Sequence, residues 1–135
     1  MVFLVDDDID DLEIVQEALQ RNHYTGQVST ADNGKNFLDQ LYAGGEKNRS
    51  ELVLLDLNMP LKNGFQVLEE LKQHPTLKSI PVIVLTASNS KTDEIRCFEL
   101  GCSLFYTKPT TVEEYNLLMT VVINFLKGKS SPSMN

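Results

Sequence analysis

The chain has 135 residues and a mass of 15.2 kDa, enough for one domain with a full hydrophobic core. Its composition, 41% hydrophobic and 23% charged, is that of a soluble globular protein, and no apolar run approaches the roughly 18–20 residues that a bilayer requires. A net charge of −7 with no dense basic patch argues against nucleic acid, because phosphate binding needs clustered Lys and Arg.

Val2-Phe3-Leu4-Val5 reads as a short buried strand that ends in Asp6-Asp7-Asp8. It is too short for a signal peptide and lacks a basic flank and a cleavage site, so the cytoplasm is the expected location. Ile9 to Asn22 has helical spacing, with Ile9, Leu12, Ile14 or Val15, and Leu19 on one side. Asp8, Asp10 and Asp11 lie at its start, where carboxylates cap free N–H groups and favour the helix dipole. Gln27 to Ala31 alternates weakly, as an edge strand does. Asp32-Asn33-Gly34 supplies a turn and cap, and Phe37, Leu38 and Leu41 mark a short second helix. Gly44 to Arg49 reads as a solvated loop. Asn48-Arg49-Ser50 matches a glycosylation acceptor but carries no meaning in a cytoplasmic chain.

Glu51 to Pro60 holds the pivotal stretch, ELVLLDLNMP. Its continuous Val/Leu run fits a parallel strand covered on both faces, and Asp56 stands where that strand emerges. Asn63-Gly64 opens a third helix through about Gln73, with Val67, Leu68 and Leu71 inward, and Pro75 ends it. Ile80 to Leu85 is the next buried strand and stops at Thr86. A fourth helix runs from about Ser90 to Leu100, with Gly101 as its C-terminal cap. Ser103 to Thr107 is a mixed fifth strand closing with Lys108-Pro109. Thr110 or Thr111, with Glu113 or Glu114 three residues on, makes a capping box for a last helix to about Lys127. A domain over 1–127 is therefore expected, with 128–135, rich in Ser, Gly, Pro and Lys, as a disordered tail. Cys97 and Cys102 have neither redox nor zinc-ribbon spacing and read as core-lining residues, and His23 and His74 as surface residues.

Alternating strands and helices predict a doubly wound, flavodoxin-like α/β domain with a five-stranded parallel sheet and five helices. The first, third and fourth strands are purely apolar and belong inside, the second and fifth at the edges. Order 2-1-3-4-5 satisfies this with right-handed crossovers.

Parallel strands bring their C-terminal ends to one rim, and ligands of open α/β sheets bind there. The residues gathered are Asp6, Asp7, Asp56, Thr86 and Lys108. Each has a bland role by itself, as a cap, a strand-end hydroxyl or a solvated charge. Together they suit phosphoryl transfer. Carboxylates in excess of one ammonium ask for a divalent cation, and Mg²⁺ takes one or two carboxylates, waters and phosphate oxygens. Asp56 can act as a nucleophile and form an acyl phosphate, while the cation and Lys108 neutralise charge and Thr86 donates a hydrogen bond.

At these motifs the sequence resembles a response regulator receiver domain over about residues 1–127. The resemblance is carried by Phe3-Leu4-Val5-Asp6-Asp7-Asp8, by Leu54-Leu55-Asp56-Leu57-Asn58-Met59-Pro60 with Gly64, by Val84-Leu85-Thr86-Ala87 and by Tyr106-Thr107-Lys108-Pro109. It implies that Asp56 is the phospho-acceptor. It also implies that Asp7, Asp56 and the Asn58 backbone carbonyl bind Mg²⁺ directly, and that Asp6 holds a metal-bound water. Thr86 would be the switch hydroxyl, Lys108 would contact the phosphoryl group, and the Lys108–Pro109 bond would be cis. The family's switch aromatic, three residues before the lysine, is commonly Tyr and here is Phe105, which can swing inward but offers no hydroxyl. Small polar residues at Asn58 and Ser88 beside the phosphoryl entrance imply an aspartyl phosphate lifetime that is neither extremely long nor very brief.

Two rival readings fit less well, and the second, a phosphohydrolase, is kept as an alternative. Asp6 to Glu17 nearly fits a calcium EF-hand loop, but Asp11 occupies the glycine position and a strand precedes it. An aspartate-nucleophile phosphohydrolase typically wants an acid two residues after the nucleophile, where Asn58 stands, and there is no inserted cap domain. A non-signalling flavodoxin-like binding module is the remaining alternative.

No output domain follows, so the message is expected to pass by protein contact, with a histidine kinase or histidine phosphotransfer protein as donor. The last helix is apolar nearly all round. Tyr115, Met119, Val122, Ile123 and Leu126 form an inward stripe, and Leu117, Leu118, Val121 and Phe125 form a second. That second stripe predicts a homodimer or partner surface on the face made by helix 4, strand 5 and helix 5.

Overall fold

The computed structural model describes residues 1–44 and 50–130. Each apolar run becomes a strand: β1 (Val2–Val5), β3 (Leu52–Leu55) and β4 (Val82–Thr86), with β2 (Val28–Ala31) and β5 (Leu104–Thr107) more polar. The helices between them are α1 (Ile9–Arg21), α2 (Gly34–Gly44), α3 (Gly64–Gln73), α4 (Lys91–Leu100) and α5 (Val112–Ser130). All pairings are parallel and the order is β2-β1-β3-β4-β5, so the apolar strands take the interior as predicted.

Uniformly apolar strands still alternate, because helices cover both faces of the sheet. Phe3, Val5, Val53, Leu55, Val82 and Val84 join one cluster with residues of α2, α3 and α4 such as Phe37, Leu68 and Cys97. Val2, Leu4, Leu52, Leu54, Ile83 and Leu85 join the other, with Val15 and Leu19 of α1 and Tyr115, Met119 and Val122 of α5. Cys97 and Cys102 are buried free thiols, as the sequence suggests.

The helix ends carry their own signals. Asp8 caps α1, its side chain accepting from the Asp10 and Asp11 N–H groups. Asn63 and Gln66 form a reciprocal capping box on α3, Ser90 caps α4, and the Thr111 hydroxyl accepts from the Glu114 N–H at 3.1 Å. Gly101 ends α4 at φ 107°, a left-handed conformation that glycine adopts without steric cost.

Several expectations need correction. Ile9, grouped by spacing on one side with Leu12 and Leu19, is 67% exposed as the first residue of α1, whereas Leu19 is buried. α5 continues to Ser130 rather than stopping near Lys127: a single Gly128 costs a helix only about 1 kcal/mol, and the first proline comes at Pro132. Leu118, placed on the outer stripe of α5, is buried at 9% exposure, and Phe125 packs partly buried against the core. The Lys108–Pro109 bond, expected cis, is trans, since no cis peptide occurs among the described residues; trans is the default even for X–Pro. His74 is half-buried rather than a plain surface residue, its Nδ1 accepting from the Thr76 and Leu77 N–H groups. A short 3₁₀ helix, Leu77–Ser79, precedes β4 and was not anticipated. The expected loop after Gly44 and the tail beyond Ser130 lie outside the described residues.

Candidate functional site

The sheet's hydrogen bonding runs one residue past the strands and fixes the backbone of the rim. The Asp6 N–H donates to the Ala31 carbonyl at 3.1 Å, the Asp56 N–H to Val5 at 2.9 Å, and the Lys108 N–H to Thr86 at 2.7 Å. Four distant segments thus meet at one edge.

Three predicted carboxylates converge. Asp6, Asp7 and Asp56 each offer an oxygen, and these oxygens lie within 4.8 Å of one another. Asp6 and Asp56 are buried, at 8% and 6% exposure, while Asp7 faces solvent. The Asp56 Oδ1 accepts the N–H of Leu57 at 2.8 Å. Below it, the Gly64 N–H donates to the Leu57 carbonyl at 2.8 Å, which folds the loop after β3 back under the acid. Leu57 and Met59 of that loop are buried and anchor it. At its outer end Leu61 has φ 68° and is 76% exposed, a left-handed turn that a branched side chain tolerates only where its surroundings impose it.

The Lys108 ammonium closes the cluster. Its Nζ lies 2.7 Å from the Asp6 Oδ2 and 2.6 Å from the Asp11 Oδ2, but 3.7 Å from the Asp56 Oδ2. Burial alone would lower the lysine pKa, yet its hydrogen bonds to Asp11 and Asp6, with the nearby charge of Asp56, carry it above the ordinary value. Burial pushes the Asp6 carboxyl up to about 6, with the Asp56 charge adding and the bonds from Lys108 and from the Asp8 N–H opposing. Four carboxylates around one ammonium leave surplus negative charge on hard oxygen donors. That donor set fits a divalent cation.

Thr86 is fully buried at the end of β4, and its Oγ1 accepts the Ser88 N–H at 3.4 Å. By the alternation of β4, its side chain lies on the same face as Val84, and Val84 pairs with Phe105. Phe105 is half-buried against that same cluster, so the hydroxyl and the aromatic share one face of the sheet. Ser88 is held apart, its hydroxyl donating to Asp93 at 2.7 Å. Asn58 is exposed beside the acids.

The residue that sequence reasoning missed is Asp11. It was read as a helix-dipole carboxylate, whereas its side chain also takes the shortest bond to Lys108. The available signal was its place three residues after the Asp8 cap, on the first turn of a helix that starts at the rim.

A family model described as the response regulator receiver domain matches residues 2–120. The response regulator Rcp1 of Synechocystis sp. is 37% identical over 117 residues, covering 84% of this chain and 80% of its own length. Among solved structures, that of the phosphorylated cyanobacterial phytochrome response regulator RcpA superposes with a TM-score of 0.86 at 34% identity, over 98% of this chain and 97% of that one. The Mn²⁺-bound form of Rcp1 gives 0.80 at 33% identity, over 98% of both chains.

Proposed function

Because the chain belongs to the response regulator receiver domain family of two-component systems, we propose that Asp56 is the group that accepts a phosphoryl group. The supporting observation is the convergence of Asp6, Asp7 and Asp56 within 4.8 Å beside the Lys108 ammonium. A receiver of this family is a signalling component. Its chemistry is self-phosphorylation and self-dephosphorylation at one aspartate, without turnover of a separate substrate.

In this proposal a carboxylate oxygen of Asp56 attacks the phosphorus of a phosphohistidine on a histidine kinase or histidine phosphotransfer protein. A P–O bond forms, the P–N bond breaks, and the imidazole keeps the electron pair. Asp7, Asp56 and the Asn58 backbone carbonyl would hold Mg²⁺, with Asp6 acting through a water. Bound there, the ion supplies neutralisation of the charge on the phosphoryl oxygens. The carboxylate cluster supports such an ion, and similar proteins have been described in phosphorylated and Mn²⁺-bound forms. Lys108 contacts the phosphoryl group as a point charge. Thr86 turns its hydroxyl toward that group, and Phe105 fills the space it leaves, which shifts the population of conformers at the outer surface.

Output passes by protein contact in the cytoplasm. Exposed apolar side chains stand on α4, where Ile95 and Phe98 are 51% and 46% exposed, and on α5, where Leu117 and Val121 are 68% and 42% exposed. This apolar surface is proposed as the site of a homodimer or of a partner protein. Among the described residues no helix is long and apolar enough to cross a membrane.

Incubation with acetyl phosphate and Mg²⁺, followed by intact mass, tests the assignment. One added phosphoryl group is expected, absent in Asp56→Asn and abolished by a chelator. Steady turnover of free phosphate esters would favour a phosphohydrolase instead.

A further inference from the structure

The Lys108 ammonium sits closer to a helix than to the acid it is meant to serve. Its Nζ is 2.6 Å from Asp11 on α1 and 2.7 Å from Asp6, whereas the 3.7 Å to Asp56 is beyond hydrogen-bond range. Lys108 and Asp11 are largely buried, at 13% and 23% side-chain exposure, so water screens their pairing only partly. A void of about 20 Å³ touches Asp6, Asp11 and Asp56 and is otherwise lined by apolar residues such as Leu4, Leu12 and Leu54. Asp11 therefore borders the same small cavity as the acceptor.

We propose that Asp11 is a positioning residue that holds Lys108 back from Asp56 and gives it up when Asp56 carries a phosphoryl group, an inference that rests on Asp56 being the acceptor. A phosphoryl group carries a charge near −2 and three strong acceptor oxygens, so it outcompetes a single carboxylate for a flexible ammonium. Asp6 cannot play the same part, because it also belongs to the cation-binding set. Asp11 has no such second duty. The exchange breaks the bond between β5 and the first turn of α1, so that helix is informed of phosphorylation as well as the Thr86–Phe105 face.

The sign of the effect separates this role from a structural one. Removal of a merely structural contact weakens binding at the site, whereas removal of a competitor tightens it. Deleting any nearby negative charge also favours an anion, and Asp10 controls for that. It lies in the same turn, is exposed, and is equal in charge. The probe is beryllium fluoride, a phosphoryl mimic, titrated in the presence of Mg²⁺ and followed by ¹⁹F NMR. Asp11→Asn should bind it about fivefold more tightly than wild type, the equivalent of about 1 kcal/mol, and Asp10→Asn should change binding by less than about twofold. The Asp11 carboxylate caps no N–H group, and Asp8 still caps the helix, so the variant keeps its fold. Binding to Asp11→Asn that equals or falls below that of Asp10→Asn overturns the role of Asp11 alone. Failure of the wild-type protein to take up the mimic overturns Asp56 as acceptor, and with it this inference.

Discussion

Gly64 stands so near Asp56 that a Cβ built on it would lie 2.4 Å from the Asp56 carbonyl oxygen and 2.7 Å from the Cα of Leu57. Both are backbone atoms that no rotamer change can move. Gly64→Ala must therefore push the loop after β3 away from the sheet. Overpacking of this kind costs about 1–3 kcal/mol, which urea unfolding would register as a lower midpoint at unchanged slope. Because the displaced atoms carry Asp56, the rate of phosphorylation by acetyl phosphate should fall as well. A variant with wild-type stability and rate would show that the contact is soft.

The glycine also marks where sequence reasoning succeeds and where it stops. Continuous apolar runs marked the interior strands, and the weakly alternating stretch Gln27–Ala31 and the mixed stretch Ser103–Thr107 marked the edges, because burial on both faces leaves little choice of composition. Asp6, Asp7, Asp56, Thr86 and Lys108 were legible because strand ends in a parallel sheet share a rim. Asp11 was not, since a carboxylate in a first turn has a sufficient local explanation and the direction of its side chain depends on helix docking. Leu118 failed for a related reason. The α5 sequence is apolar on nearly every side, so periodicity could not say which leucine meets Leu54 and Leu85 in the core and which meets water.

Crowded carboxylates predict a stability that depends on the cation. Asp6, Asp7 and Asp56 repel one another, and Lys108 lies as a counter-charge beside Asp6 and Asp56. A divalent cation that binds only the folded cluster adds stability by mass action, about 2.7 kcal/mol at a hundredfold excess over Kd. Thermal unfolding with and without MgCl₂ should thus show a rise in Tm that EDTA reverses. Asp7→Asn and Asp56→Asn should lose most of the rise, whereas Asp10→Asn, outside the cluster, should keep it. An equal rise in all three variants would mean that the ion acts through general screening.

On α5, two leucines one residue apart should behave in opposite ways. Leu117 is 68% exposed and Leu118 is 9% exposed. Leu118→Asp puts a charge against the core and should cost several kcal/mol, about 3 or more, enough to unfold a marginal domain. Leu117→Asp, especially with Val121→Asp, should leave the unfolding midpoint within about 0.5 kcal/mol of wild type. If the outer face forms a homodimer, light scattering of the wild type with a phosphoryl mimic should give twice the monomer mass, and the Leu117→Asp, Val121→Asp protein should stay monomeric. A wild-type monomer at high concentration, with and without the mimic, would remove the homodimer and leave the face to a different partner.

Cys97 and Cys102 give the domain an alkaline limit. Burial pushes their thiols up, from about 9 to about 12 for Cys97 and to about 11 for Cys102. In the unfolded chain both ionise near pH 9, while in the folded chain they keep their protons. A raised folded pKa means that the contribution to stability is complete below pH 9 and is lost as pH climbs through 11 to 12. The loss is at most about 1.4 kcal/mol per thiol per pH unit. Tyr42, raised to about 12 by its hydrogen bond to Glu70, adds a smaller loss above pH 10, reduced by its exposure. Urea midpoints measured between pH 8 and pH 10.5 should therefore fall, and Cys97→Ala with Cys102→Ala should flatten the decline. The same burial withholds the thiolates from reagents. At pH 8 the native protein should react negligibly with a disulfide reagent, and the unfolded protein should yield two thiols. Fast labelling of either cysteine in the native state would mean that the packing between α4 and β4 opens readily. In that case the alkaline decline should disappear with it.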